Sequence, residues 1–243
     1  QAIAEQLDDD HKRATTFVLY AHLLETTGKF AESHDVLDEA LALAEKINAL
    51  DVLAIAEKER ASGFLRQGNL TEAMPHLSRA TDIYQELGDV DAQCATLNVM
   101  SVGYINTGNF DEGNRLLQRS LALAKDSNRE HTRGKVFQNL AVIAQYMGRY
   151  ADVEINLKQA YDIMLKYGDR RNQAACITNM GANAYSLGDY ETAHKYFLQS
   201  QRYYREAGDL THVVHVTQNL GAILIQRYEY EEAIHQLEMG LKL

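Results

Sequence analysis

A single proline, Pro75, interrupts the chain, and no long uninterrupted apolar run occurs anywhere in it. The scarcity of proline leaves room for long helices, and the lack of an apolar run argues against a membrane-spanning segment. Cysteine is equally sparse. Cys94 and Cys176 stand far apart, with no CxxC pair, which predicts unpaired thiols and favours a reducing, cytoplasmic setting. Positive charge is in deficit: 24 Lys and Arg against 34 Asp and Glu give a formal charge of −10. That balance argues against direct nucleic-acid binding, which needs clustered cations to meet phosphates. No secretory leader is visible. The sequence starts at Gln1 and stops at Leu243 partway through a repeat, so the expectation is a segment of a longer protein.

Signatures of familiar chemistry are missing as well. No GxxxxGK[ST] loop, GxSxG elbow or HExxH helix is found, so neither catalysis nor a cofactor is expected. His212 and His215 sit at i, i+3, but Asp209 follows Gly208 as a helix cap and no fourth ligand is in view. They read as two solvated histidines, not a metal site. The run Asp8-Asp9-Asp10-His11 reads as a solvated helix start. The 14 tyrosines fall in or beside repeated positions and read as packing residues.

What the chain does contain is repetition. Glycine recurs at 28, 68, 108, 148 and 188, each 40 residues after the last, and Tyr228 takes the slot in a sixth copy. Whole columns travel with it. Ala21, Ala61, Ser101, Ala141, Gly181 and Gly221 stand seven residues before the slot; Ala40, Ala80, Ser120, Ala160, Ser200 and Gly240 stand twelve after it. Five after it come Ser33, Ala73, Gly113, Val153, Ala193 and Ala233, and nine after it Leu37, Leu77, Leu117, Leu157, Phe197 and Leu237. Small residues belong where two helix axes come closest, and the spacing is helical throughout. A second boundary recurs at Asn48, Gly88, Asn128, Gly168 and Gly208, residue types that tolerate the left-handed conformation past a helix end. Asp89, Asp169 and Asp209 follow as caps for the next helix. Each unit is therefore a helix A, a turn at the glycine, and a helix B, and the prediction is an all-α superhelix. Pro75, inside the first turns of its helix B, predicts a late helix start or a mild kink.

These columns resemble the tetratricopeptide repeat. Gly188-Asp189-Tyr190-Glu191-Thr192-Ala193 with Phe197 is the copy nearest to that motif. The 40-residue unit exceeds the usual 34, and no proline closes helix B. Long units of this kind are similar to those of LGN/Pins scaffolds, Rap-type peptide sensors and the sensor arms of bacterial regulators. The resemblance implies a right-handed α-solenoid of six antiparallel helix pairs, one array over 1–243. Its repeats are expected near 10–48, 49–88, 89–128, 129–168, 169–208 and 209–243.

The resemblance also implies a concave wall lined by helix A. Nine residues before the slot stand Leu19, Glu59, Val99, Asn139, Asn179 and Asn219, the last three a ladder of carboxamides. Ten before it stand Val18, Lys58, Asn98, Gln138, Thr178 and Gln218. Further groove candidates are His22, Glu25, Arg66, Asn106, Lys135, Gln145, Tyr146, Ser186, His215 and Gln226. A carboxamide donates and accepts together, as an extended peptide backbone requires. The same asparagines could instead bridge adjacent helix A backbones, and both roles stay open. The function expected is a non-enzymatic protein-interaction module holding a peptide or partner segment in the groove. The alternative is a ligand-sensing arm of a signalling protein or transcription regulator. Self-association through the uncapped last repeat, ending at Leu241 and Leu243, is a third expectation.

Overall fold

A computed structural model describes residues 2–240 of the chain. Helices account for nearly all of it, in the order α1 (Ala2–Thr26), α2 (Phe30–Ile47), α3 (Leu50–Arg66), α4 (Leu70–Glu86), α5 (Val90–Asn106) and α6 (Phe110–Asp126), then α7 (Glu130–Tyr146), α8 (Tyr150–Lys166), α9 (Arg170–Ser186), α10 (Tyr190–Glu206), α11 (Leu210–Gln226) and α12 (Tyr230–Gly240). Among the described residues there is no strand. From α3 to α11 every helix has 17 residues, and three-residue turns between them account for the 40-residue period.

Each turn is set by one left-handed residue. The repeated glycines have φ between 67° and 79°, and Asn48, Asn128 and Tyr228 take the same region at 55°, 55° and 63°. In ten of these turns the next amide reaches back to close the preceding helix: Lys29 N–H donates to Leu24 O at 2.9 Å, and Asp189 N–H to Ala184 O at 2.9 Å. The following helix is then capped where the sequence supplies a short acceptor. Asp89, Asp169 and Asp209 accept from Ala92, Asn172 and His212 amides, as their position predicts. Asn109 and Asp189 do the same for α6 and α10. Pro75 does not delay its helix. α4 begins at Leu70, the register at which α6 begins at Phe110, so the expected late start is not observed.

The chain divides into two compact units, Gln1–Ser127 and Asn128–Leu243. In the first, α1 packs on α2, α3 on α4 and α5 on α6, with α2·α3, α4·α5 and α1·α3 joining the hairpins. In the second, α7·α8, α9·α10 and α11·α12 are the hairpins, joined through α8·α9, α10·α11 and α7·α9. Within each hairpin the small columns are buried where the helices cross. Ala21, Ala61, Ala40, Ala80, Ala160, Ser120 and Ser200 are wholly inaccessible, and Leu37, Leu77, Leu117 and Leu157 fill the space between the crossings. At Gly181 a Cβ would stand 2.8 Å from the Phe197 ring, and at Gly221 2.9 Å from Leu237, so a side chain at either crossing would have to displace its neighbour.

Candidate functional site

One face of each helix A in the second unit is left uncovered by these contacts. Along α7, Lys135, Asn139, Val142 and Tyr146 recur at i, i+4, i+7 and i+11, which places them in one stripe. Their opposite face, with Val136, Leu140, Ile143 and Ala144, is buried. The equivalent stripes are Ala175, Asn179, Ala182 and Ser186 on α9, and His215, Asn219, Ala222 and Gln226 on α11. All of these are partly or fully exposed.

Asn139, Asn179 and Asn219 thus hold the same position on three first helices. Among the described residues their carboxamides form no hydrogen bond, so they bridge no backbones. Between α7 and α9 lies a hollow of about 150 Å³ lined by Val142, Gln145, Tyr146, Asn179 and Ala182, with Ala141 and Val153 behind. Gln145 Nε2 donates to Ser186 Oγ at 2.8 Å across one end of it. The hollow joins an apolar surface to the ends of polar side chains from both helices.

The neighbouring column behaves differently from expectation. Gln138 Nε2 donates to the Asn172 carbonyl of α9 at 2.9 Å and lies 3.0 Å from Cys176 Sγ. Thr178 Oγ1 donates to Ala174 O at 2.9 Å and lies 2.8 Å from Ser200 Oγ on α10. Asn98, on α5 of the first unit, is buried. One residue along a helix is a rotation of about 100°. These three side chains therefore turn from the open stripe toward neighbouring helices. Gln218, on α11, remains exposed.

The first unit presents a different face. His22 Nδ1 and Glu59 Oε2 are 2.9 Å apart across α1 and α3. Arg66 Nη1 donates at 2.7 Å to Glu25, whose carboxylate is buried, so this arginine is already paired. Burial pushes the Glu25 carboxyl up, against the opposing pull of Arg66. Lys58 is half-buried on α3, and Val18, expected in the groove, is core. Sequence reading also missed a buried cluster. Glu57 meets His76 Nδ1 at 2.5 Å and Arg79 Nη1 at 2.6 Å, and Arg79 Nη2 continues to Glu45 at 2.6 Å. Burial opposes ionisation of Glu57, but the hydrogen bonds and charges of His76 and Arg79 outweigh it and hold the carboxyl below its ordinary value. No helix among the described residues is long and apolar enough to cross a membrane.

Two family descriptions match parts of the sequence: tetratricopeptide repeat over residues 135–206 and coatomer epsilon subunit over residues 69–170. Comparison with curated proteins finds no match. Among solved structures, aspartyl phosphate phosphatase F from Bacillus subtilis is similar at 14% identity and a TM-score of 0.73, over 96% of this chain and 61% of that one. A Rap protein complexed with competence and sporulation factor is similar at 15% identity and a TM-score of 0.70, over 98% of this chain and 76% of that one. A signal transduction ATPase with a tetratricopeptide repeat sensor, from Pyrococcus horikoshii, matches at 14% identity and a TM-score of 0.71. That match covers 95% of this chain and 36% of the other. In its helical fold and its repeat columns, the chain resembles the tetratricopeptide repeat proteins.

Proposed function

We propose that the chain is a non-enzymatic interaction module that holds an extended peptide or partner segment on its helix A faces. What supports this reading is the carboxamide of Asn179 lining the hollow between α7 and α9, with Asn139 at the equivalent position on the exposed stripe of α7. Each can donate to a peptide carbonyl and accept from a peptide N–H, while Val142 and Ala182 receive an apolar side chain between them. Asn219, Gln218 and His215 extend the polar face along α11, and Lys135, Gln145 and Tyr146 frame it on α7. The non-enzymatic reading rests on these residue types, carboxamides beside small apolar groups, which bind well and transfer protons poorly.

Panning a library of linear peptides on the chain tests this reading. Enriched peptides should lose capture when Asn139, Asn179 and Asn219 are changed together to Ala, with the circular dichroism spectrum unchanged. Capture that survives the triple change removes these side chains from the site.

A second reading makes the chain the sensor arm of a larger signalling protein. Its support is the fold shared with the repeat sensor of the Pyrococcus horikoshii ATPase, a protein of which this chain covers 36%. Joined to an effector domain, such an arm would change the effector's activity on peptide binding. The interaction module alone predicts capture without that change.

A further inference from the structure

Five residues after the repeat slot, five copies carry Ser33, Ala73, Gly113, Ala193 and Ala233, while the fourth carries Val153. A close helix crossing calls for a small residue there, so the branched side chain is an irregularity that the hairpin itself does not require. Val153 is 1% exposed, and with the equally buried Ala141 it backs the hollow between α7 and α9.

The front of the hollow is also particular to this joint. Val142 on α7 and Ala182 on α9 are half-buried and share one repeat position, where the other copies carry His22, Ser62, Val102 and Ala222. Gln145 Nε2, donating to Ser186 Oγ at 2.8 Å, spans one end. No lining side chain carries a formal charge, and the space measures about 150 Å³. An apolar cavity of roughly that volume holds one benzene ring, whereas sites for whole small molecules start at about twice the size. The space suits one side chain.

We propose that this hollow is the specificity pocket of the peptide face, taking one uncharged apolar side chain between leucine and phenylalanine in size. The upper limit follows from volume, since an indole is larger than the benzene ring that fills such a space. The lower limit follows from contact: a methyl group leaves the back wall untouched and gains little burial. Charged side chains are rejected because nothing in the lining replaces the water they would lose. Asn179, on the wall, offers its carboxamide to the peptide unit that bears the side chain. The inference rests on the peptide reading above and adds which residue such a peptide must present, with Val153 and Ala182 setting the size.

Capped amino acids test the pocket without a peptide. The N-acetyl methylamides of glycine, leucine, phenylalanine and tryptophan are titrated into the unmodified chain, and the Val142 methyl resonances are followed by NMR. The expected result is saturable binding of the leucine and phenylalanine probes at least about tenfold tighter than glycine or tryptophan, a factor that one methylene in an apolar pocket can supply. Val153→Ala, the residue at 73, 193 and 233, should admit the tryptophan probe, and Ala182→Leu should abolish binding of all four. Equal affinities, no saturable shift, or an unchanged order of affinities in both folded variants would overturn the proposal. The four-probe comparison needs no variant and stands whether or not either one folds. Panned peptides that share no apolar position would remove the pocket and leave the interaction module; capped residues that bind in the expected order while no peptide is captured would keep the pocket and remove the peptide reading.

Discussion

Ser101 on α5 donates its hydroxyl to the Gly113 carbonyl on α6 at 3.0 Å. The mirror arrangement occurs in the first hairpin, where Ser33 on α2 donates to the Ala21 carbonyl on α1 at 3.1 Å. The two columns exchange roles: whichever contributes the serine, the other contributes a small residue and its carbonyl. Close approach of the helix backbones makes both bonds reachable, and burial makes each hydroxyl need one. Changing Ser101 to Ala leaves packing nearly intact and removes one neutral buried bond. Urea unfolding should show a loss of about 1 kcal/mol. Ser101→Leu should cost several times more, because the axes cannot separate to admit it.

At the Gly181–Phe197 crossing, overpacking can be separated from helix propensity. Gly181→Ala gains about 1 kcal/mol of intrinsic helix preference, yet places a Cβ 2.8 Å from the Phe197 ring. The net expectation is a lowered melting temperature. Adding Phe197→Leu, the residue at 37, 77, 117 and 157, should recover part of that loss, giving a non-additive double-mutant cycle. Additive effects would mean that the two side chains do not compete for the same space.

Tyr228 occupies a turn position with φ of 63° where five other copies carry glycine, and the residue is 80% exposed. Left-handed backbone disfavours a side chain by roughly 1–2 kcal/mol, while glycine adds unfolded-state entropy of somewhat less. Tyr228→Gly should therefore stabilise the chain slightly. A calorimetric melting temperature at or below that of the parent would contradict this.

Two buried carboxylates of the first unit titrate with opposite signs. Glu57 is held below its ordinary value, so its contribution is present above the normal carboxylate range and disappears as pH falls through the folded value. Glu57→Gln should cost about 1.5–3 kcal/mol at neutral pH, and the gap to the parent should close in acid. Glu25 is raised, so the folded state holds its proton longer than the unfolded chain and loses stability as pH climbs from the ordinary range. Glu25→Gln should improve relative to the parent over that same climb. Urea titrations at several pH values distinguish the two slopes.

Both thiols are fully buried, and burial raises the pKa of each, that of Cys176 to about 11. Ellman's reagent at pH 8 should label neither until the chain unfolds. Rapid labelling of Cys176 in the folded protein would show that the contact with Gln138 opens readily.

The hairpins were readable from residue type because two constraints act on the backbone itself. A left-handed turn selects Gly or Asn, as at Gly148 and Asn128, and a close crossing selects Gly, Ala or Ser, as at Ala141 and Ala160. The open stripe was partly readable for the same helical reason, since Lys135, Asn139 and Tyr146 share one face. Gln138 and Thr178 were misplaced because periodicity tells which residues share a face, not which side a neighbouring helix covers. Glu57 went unnoticed because a single glutamate on a helix reads as solvated until His76 and Arg79 arrive from another helix.

Because every turn is made the same way, the array is modular at the level of its covalent joints. Residues 169–208 begin with Asp169 and are followed by Asp209, and Gly168 and Gly208 share the same left-handed backbone. Excising that block would join Gly168 to Asp209 and recreate the Gly–Asp junction that already separates units at 88/89, 168/169 and 208/209. A lineage could thus lengthen or shorten such a chain by whole copies, inheriting each new seam ready-made.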